Sequence, residues 1–156
     1  MIYLLAEPLA PLTKKKGGNM KKILINCSNH PSSRWDENQK FGWDKIVDIP
    51  LPYIPPEADM EQVKDVAKNI IREVEKICRD NKIERPCIMV QGEFSLCSFL
   101  YQECQDWIFF FPTTERLVEE IHKADGSVEK KSQFKFIRWR ILMKKYPPLP
   151  DWIVST

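Results

Sequence analysis

Short apolar runs separated by polar, turn-forming segments constrain the fold of this chain more than any other feature. Three mostly apolar runs occupy residues 21–27, 87–90 and 107–111. Runs this short are typical of strands that are buried on both faces of a parallel sheet. A fourth run, at 45–51, is halted by a series of prolines that begins at Pro50, because proline cannot donate to a strand ladder. The pattern predicts four short strands.

Helical patterns alternate with these strands. Between the second and third strands, apolar residues recur at three- and four-residue steps opposite charged ones, which predicts a helix over 59–80. A second helix is predicted over 94–104, and a short one over 35–41 with Ser32 or Ser33 as its N-cap. This alternation predicts a Rossmann-like α/β fold with about four parallel strands and helices on both faces of the sheet.

The C-terminal part of the chain has a different pattern. Residues 117–123 and 133–142 flank Asp125-Gly126, which is a strong signal for a two-residue hairpin turn. We therefore expect an antiparallel hairpin on the edge of the sheet.

The domain is expected to span residues 20–143. In residues 1–19 an apolar stretch precedes the lysines, which is the reverse of the order in a signal peptide. We expect this segment to be a flexible extension, with an extra edge strand within Ile2–Leu5 as the alternative. Residues 144–156 contain three prolines and are expected to form a surface tail.

Composition argues against several classes of protein. The 24 basic and 22 acidic residues are spread along the chain, so no strong field directs it to duplex nucleic acid or to a membrane. The apolar runs are shorter than the roughly 18 residues of a membrane span. The five cysteines form no Cys-x-x-Cys pair and the two histidines stand apart, which argues against a metal site. We expect a cytoplasmic protein without a metal or another cofactor.

Polar residues that favour turns follow three of the strands. They are Ser28, Asn29, His30, Ser32 and Ser33 after the first strand, Gly92 and Glu93 after the third, and Thr113, Thr114, Glu115 and Arg116 after the fourth. The carboxyl ends of parallel strands meet at one edge of a sheet, where helix N-termini favour anions. These residues therefore predict a pocket for a phosphate-bearing ligand. They could also serve only as caps and turns, since Ser, Asn and Thr commonly do so.

Four of these residues have more specific candidate roles. His30 could transfer a proton because imidazole gains and loses one near neutral pH, although a loop histidine can also be a simple hydrogen-bonding residue. Thr114 and Arg116 could present hydroxyl and guanidinium groups to a phosphate, or could begin a helix. Gly92 would allow the backbone to approach a ligand closely.

Several of these segments together resemble a known family. The strand and loop over 23–35, which contain Ser-Asn-His-Pro-Ser-Ser-Arg-Trp, are followed by Gln-Gly-Glu-Phe-Ser at 91–95. Thr-Thr-Glu-Arg at 113–116 then precedes Phe-Lys-Phe-Ile-Arg at 134–138. Over about 21–142 the chain resembles small stand-alone CRISPR-associated proteins with the Rossmann-like domain called CARF.

The resemblance implies a homodimer that binds cyclic oligoadenylate, the second messenger of type III CRISPR systems, in a pocket across its two-fold axis. It further implies a ring nuclease that cleaves the messenger without a metal, by attack of a ribose 2′-hydroxyl on the adjacent phosphate. Carried over by position, the catalytic residues would be His30 and Ser28. The ligand-binding residues would be Asn29, Ser32, Ser33, Gly92, Glu93, Phe94, Thr113, Thr114 and Arg116, with Arg116 opposite the phosphate charge.

The chain departs from the pattern of this family in two respects. No lysine is placed convincingly at the scissile phosphate, and no second nuclease domain is present in the sequence to be regulated. A non-catalytic module that senses a nucleotide or binds a protein is the alternative function. A small hydrolase or transferase that acts on an unrelated nucleotide is a third.

Overall fold

A mixed sheet with a hydrophobic layer on each face organises the protein. The structure is a computed structural model that describes residues 4–5, 21–123 and 125–143. Its elements are β1 (Leu4–Leu5), β2 (Ile23–Ser28), a 3-10 turn (Ser32–Arg34), α1 (Glu37–Lys40), β3 (Lys45–Ile49), α2 (Met60–Asn81), β4 (Cys87–Gln91), α3 (Phe94–Glu103), β5 (Ile108–His122) and β6 (Val128–Leu142).

The strands form one sheet in the order β1-β6-β5-β4-β2-β3. The four strands β3, β2, β4 and β5 are mutually parallel, and β6 is antiparallel to both β5 and β1. The α/β class, the mostly parallel sheet and the C-terminal hairpin are therefore confirmed. The chain leaves β2 toward β3 and then returns across β2 to β4, so the strand order reverses between β2 and β4.

Helices α2 and α3 cover one face of the sheet. Asp59 caps α2 in a capping box with Gln62, in which each side chain bonds the other residue's backbone amide. The apolar stripe of α2 then packs with α3 on the sheet, because residues three and four apart lie on one side of a helix. The buried residues of the two helices are Val63, Ala67, Ile70, Val74, Leu96, Cys97 and Leu100.

The opposite face is covered by aromatic side chains from the connection between β2 and β3. Trp35 and Trp43 lie on either side of the short helix α1 and pack over the sheet. Trp35 contacts Trp139 with ring centroids 5.8 Å apart, and Trp43 meets Phe110 edge to face at 5.0 Å. Because α1 has no buried residue of its own, these two tryptophans attach the connection to the sheet.

Two local expectations are corrected by the structure. Residues 113–116 lie inside the long strand β5 instead of in a loop, because β5 continues into the hairpin. Pro112 is tolerated there since β4 pairs with β5 only as far as Phe109. The short helix is capped by the side chain of Asp36, which accepts from two backbone amides, and not by Ser32 or Ser33.

The N-terminal segment is described only at Leu4–Leu5. These residues form an edge strand that pairs with Ile141 and Arg140, which is the alternative expected for this region. The rest of the expected extension and the C-terminal tail lie outside the described residues. Among the described helices, none combines the length and the apolar character that crossing a bilayer requires.

The hairpin extends well beyond the rest of the sheet. We call residues 114–122 and 128–135 the arm. Every residue of the arm is exposed, including large apolar side chains such as Phe134 and Val118. Two-stranded hairpins are only marginally stable in water by themselves, so the arm depends on its root in the sheet, where Phe136 and Trp139 are buried.

The buried thiols give a test of the packing. Burial raises the pKa of Cys27 and of Cys87 to about 12, so both thiols are protonated at neutral pH and shielded from solvent. We expect neither to react with iodoacetamide in the native protein, and both to react once guanidinium unfolds it. Peptide mass spectrometry after brief labelling measures this. Native-state labelling of Cys27 and Cys87 at the rate of an unfolded thiol would contradict the assigned core.

Candidate functional site

A pocket of about 500 Å³ opens at the carboxyl ends of the parallel strands, on the face covered by Trp35 and Trp43. Its lining comes from four parts of the chain. These residues are Asn29, His30, Pro31, Arg34, Trp35, Asp36, Gln39, Met89, Gln91, Pro112, Thr114, Phe134 and Phe136. The pocket thus lies outside β2 and β4, where the strand order reverses, which is where open α/β sheets bind ligands.

A buried hydrogen-bond network shapes the loop on one side of the pocket. Asn26, which is fully buried in β2, donates from its amide to Asp48 Oδ1 at 2.8 Å and to the His30 carbonyl at 2.9 Å. Its own Oδ1 accepts from the Ser28 hydroxyl at 2.7 Å. The Ser28 hydroxyl in turn accepts from the His30 amide at 3.1 Å. The chain is therefore turned at 28–30 by side chains of its own strand.

Two further contacts fix the rest of this loop. The carboxylate of Asp48, on β3, accepts hydrogen bonds from the amide and the hydroxyl of Ser32 at 3.0 to 3.2 Å. The indole of Trp35 donates to the carbonyl of His30 at 3.0 Å. Because the His30 carbonyl accepts from both Asn26 and Trp35, the backbone of His30 is held in place while the residue lines the pocket.

Basic side chains lie on one wall of the pocket. Arg34 and His30 lie together on the loop after β2, and Arg34 is exposed. The carboxylate of Asp36 is nearby, but it accepts from the amides of Asn38 and Gln39 at the start of α1. Arg34 is therefore available for an anion. Within the described part of the chain, no group of three or more His, Cys, Asp or Glu residues is arranged to hold a metal ion.

The other wall of the pocket is aromatic. Phe136 and Trp35 both pack on the buried Trp139, with ring centroids 5.3 and 5.8 Å from it. Phe134 lies further out on the arm and is 67% exposed, so most of its ring is open to solvent or to a ligand. Aromatic faces next to an arginine and a histidine can hold a flat, partly apolar group that carries a phosphate.

Three of the residues expected at the site are brought together. Asn29, His30 and Thr114 all line the pocket. Ser28 lies beneath it, is 3% exposed, and has its hydroxyl bonded to Asn26. The structure therefore gives Ser28 a role in forming the loop.

The turn after β4 does not line the pocket. Glu93 caps α3 with its carboxylate, which accepts from the Ser95 hydroxyl and from the amides of Ser95 and Leu96. These bonds, of which the Ser95 hydroxyl contributes most, lower the pKa of Glu93. The amides that were expected to receive a phosphate are thus already occupied. Phe94 is 84% exposed, and Leu51 packs so closely on Gly92 that a side chain there would displace it.

Four other expected residues also lie outside the pocket lining. Ser32 is bonded to Asp48, and Ser33 is an exposed residue of the 3-10 turn. The Thr113 hydroxyl donates to the Arg138 carbonyl at 3.0 Å, next to the irregularity in the β5–β6 pairing. Arg116 lies on the arm, where its guanidinium donates to the Ser132 hydroxyl at 2.9 and 3.2 Å.

Sequence reasoning missed the groups that organise this site. A polar signal was present, since Asn26 interrupts the apolar run of β2 and Asp48 interrupts that of β3. Their parallel register places the two residues side by side. Arg34, Gln91 and Phe134 stand in the segments that carry the family resemblance but were not assigned to the site, because only the fold brings them to one pocket.

The fold and the pocket define the class of this protein as α/β with a mixed sheet and a candidate ligand site at the carboxyl ends of its parallel strands. The chain belongs to the Uncharacterized protein MJ1673 family, whose family model matches residues 22–140. The matched range includes every residue that lines the pocket. No curated protein and no solved structure matches the chain.

Replacing Asn26 tests whether the network holds the site together. Asn26→Ala removes one hydrogen-bond partner each from the Ser28 hydroxyl, the Asp48 carboxylate and the His30 carbonyl, so it should lower the free energy of unfolding by about 2 kcal/mol. Urea denaturation followed by tryptophan fluorescence measures this. The matched control is Asn38→Ala on the exposed surface of α1, which should leave stability nearly unchanged. Equal losses in the two variants would contradict the role of Asn26.

Proposed function

We propose that this protein binds a cyclic oligoadenylate in the pocket described above and cleaves it without a metal. It would thus be a ring nuclease with a Rossmann-like, CARF-type domain, acting in antiviral defence by a type III CRISPR system. The observation that carries the proposal is the pocket itself, which joins His30 and Arg34 to the aromatic rings of Trp35, Phe134 and Phe136.

The two walls suit the two parts of a nucleotide. Phe134, largely exposed at the edge of the pocket, offers a face on which an adenine can stack, and stacking of a base is worth roughly 1–3 kcal/mol. Arg34 is the cation available to a phosphate, since its guanidinium can donate two parallel hydrogen bonds to phosphate oxygens. The proposal therefore assigns to Arg34 the role that the sequence suggested for Arg116.

The proposed reaction is an internal transfer within the ligand. The 2′-oxygen of a ribose forms a bond to the adjacent phosphorus, and the bond from phosphorus to the 5′-oxygen breaks. His30 accepts the proton from the 2′-hydroxyl, and the leaving 5′-oxygen takes a proton from water, which gives a 2′,3′-cyclic phosphate and a 5′-hydroxyl. Arg34 stabilises the charge on the phosphate oxygens. Holding the attacking oxygen in line is the larger part of the catalysis.

The proposal also includes a homodimer and a cytoplasmic location. All five cysteines are thiols and not disulfide sulfurs, which suits a reducing compartment. A sensor that binds the same ligand without cleaving it is the second candidate. One observation favours it: the hydroxyl of Ser28, the expected partner of His30 in catalysis, is bonded inside the loop network.

A cleavage assay with a His30 variant distinguishes the two candidates. Purified protein incubated in EDTA with cyclic tetra-adenylate or cyclic hexa-adenylate should release linear products that end in a 2′,3′-cyclic phosphate. His30→Ala keeps the backbone carbonyl that anchors the loop and should slow turnover by about a hundredfold or more, with little loss of binding. Chromatography of the products measures turnover, and titration with the ligand measures binding. Tight binding without cleavage would leave the sensor, and absence of binding would reject both candidates.

Binding measurements test the two walls separately. Arg34→Ala should weaken binding of the cyclic adenylate by roughly tenfold to a hundredfold, because a charge-assisted bond to phosphate is lost. Phe134→Ala should weaken it by about tenfold through lost stacking. The matched controls are Arg72→Ala at an exposed position of α2 and Phe94→Ala at the start of α3, and both should bind normally. Fluorescence titration provides the dissociation constants, and a larger loss in Phe94→Ala than in Phe134→Ala would place the ligand elsewhere.

A further inference from the structure

The arm leaves one edge of β5 open. β4 pairs with β5 only at Ile108 and Phe109, so within the described residues no strand lies beside 114–122 on the side opposite β6. The amide of Lys123 donates to the carbonyl of Ser127 at 2.9 Å, which fixes the alternation of backbone groups along β5. In the arm, odd-numbered residues of β5 therefore face β6, and the even-numbered residues of 114–122 direct their N–H and C=O groups to the open edge.

The outer edge of β6 in the arm has a different character. Lys130, Lys131 and Lys135 lie along β6, and rows of lysine are a common means of preventing strand edges from pairing. The β6 part of the arm carries these three lysines and one acid, Glu129, so two β6 edges brought together would join two segments of net positive charge. On β5, Arg116 and Glu120 lie on one face of the arm with their backbone groups directed to the open edge, while Glu115 and Glu119 lie on the other face.

We propose that two copies of this chain associate through the open edges of β5, as an antiparallel pair with its two-fold axis at Val118. In this register Arg116 lies opposite Glu120 of the partner subunit. The two-fold axis also places Glu120 opposite Arg116 of the partner subunit. Registers centred on Arg116 or on Glu120 would oppose like charges. The arrangement is closed, because each copy presents the same edge to the other.

The charges available on the arm suit this pairing. Arg116 is bonded to the neutral hydroxyl of Ser132, so its positive charge has no carboxylate partner among the contacts of the arm. Glu120 lies 3.0 Å from Lys130 in an exposed pair that solvent screens. Each of the two residues can therefore take a partner across the interface and keep its present one.

The association also stabilises the arm. Two arms joined by their β5 edges form a four-stranded sheet in place of two isolated hairpins, and three or more strands are needed for an independently stable sheet. Val118 and Phe134, both exposed in the single chain, lie on the same face of that sheet. The register also sets His122 of the partner subunit opposite Thr114, which lines the pocket. The interface itself does not depend on the identity of the ligand.

Charge reversal tests the interface and its register without any ligand. The full chain should sediment as a dimer of the 18.4 kDa protomer. Arg116→Glu, or Glu120→Arg, sets like charges together and should weaken the dimer by roughly tenfold or more. The double variant R116E/E120R restores opposite charges and should restore the dimer. The matched control is Lys131→Glu on β6, which makes the same change in net charge as Arg116→Glu and should leave the dimer intact.

Analytical ultracentrifugation over a wide range of concentration gives the dimer constants, and circular dichroism verifies that each variant is folded. A wild-type chain that stays monomeric would overturn the proposal. So would a dimer that is insensitive to the single reversals, or one that the double variant fails to restore. Because the measurement needs no ligand, its result is separate from that of the cleavage assay.

Discussion

A buried asparagine in an otherwise apolar strand holds together the part of the protein on which the candidate site depends. Asn26 would be costly to bury without partners, since an unsatisfied amide loses its hydrogen bonds to water. Its donors and its acceptor are satisfied by Asp48, the His30 carbonyl and the Ser28 hydroxyl. The same bonds tie β2 to β3 and turn the chain after β2. The position of His30 thus follows from how the strand satisfies its one polar side chain.

The second constraint is the divergence of β5 from β4. The two strands pair at their beginning and then separate, which opens a space between the end of β4 and the start of the arm. Gln91 and Met89 border this space on one side, with Thr114 and Phe136 on the other. The divergence also frees the strand edge that we propose as the dimer interface. One feature of the sheet therefore provides both the pocket and the surface that would place a second copy beside it.

The elements with strong periodic patterns were predictable from the sequence. Helix α2 begins after Asp59 as expected, because its capping residue and its apolar stripe are both local features. The continuation of β5 through Pro112 was not predictable. Proline and two threonines usually mark a turn, and only the early end of β4 pairing makes them tolerable within a strand. Local chemistry could not reveal that separation of strands.

A pocket lies at the strand ends where the sequence predicts a site, and some of the expected residues line it. His30, Asn29 and Thr114 lie at the pocket because the turn after β2 and the path of β5 bring them there. Glu93 and Ser28 have polar side chains of the expected kind, yet capping α3 and forming the loop occupy them. A sequence shows which side chains are polar, but it does not show which of them will be occupied by hydrogen bonds within loops and helix caps.

The central claim is that the pocket binds a nucleotide, and the residues whose NMR signals a ligand shifts test it most directly. In a titration of isotope-labelled protein with cyclic tetra-adenylate followed by NMR, the largest shifts should occur at the Trp35 indole and at the side-chain amides of Asn29 and Gln91. The Trp35 indole is diagnostic because it lines the pocket and donates to the His30 carbonyl. Shifts confined to the turn at 92–94, or no shift at saturating ligand, would contradict a nucleotide site in this pocket.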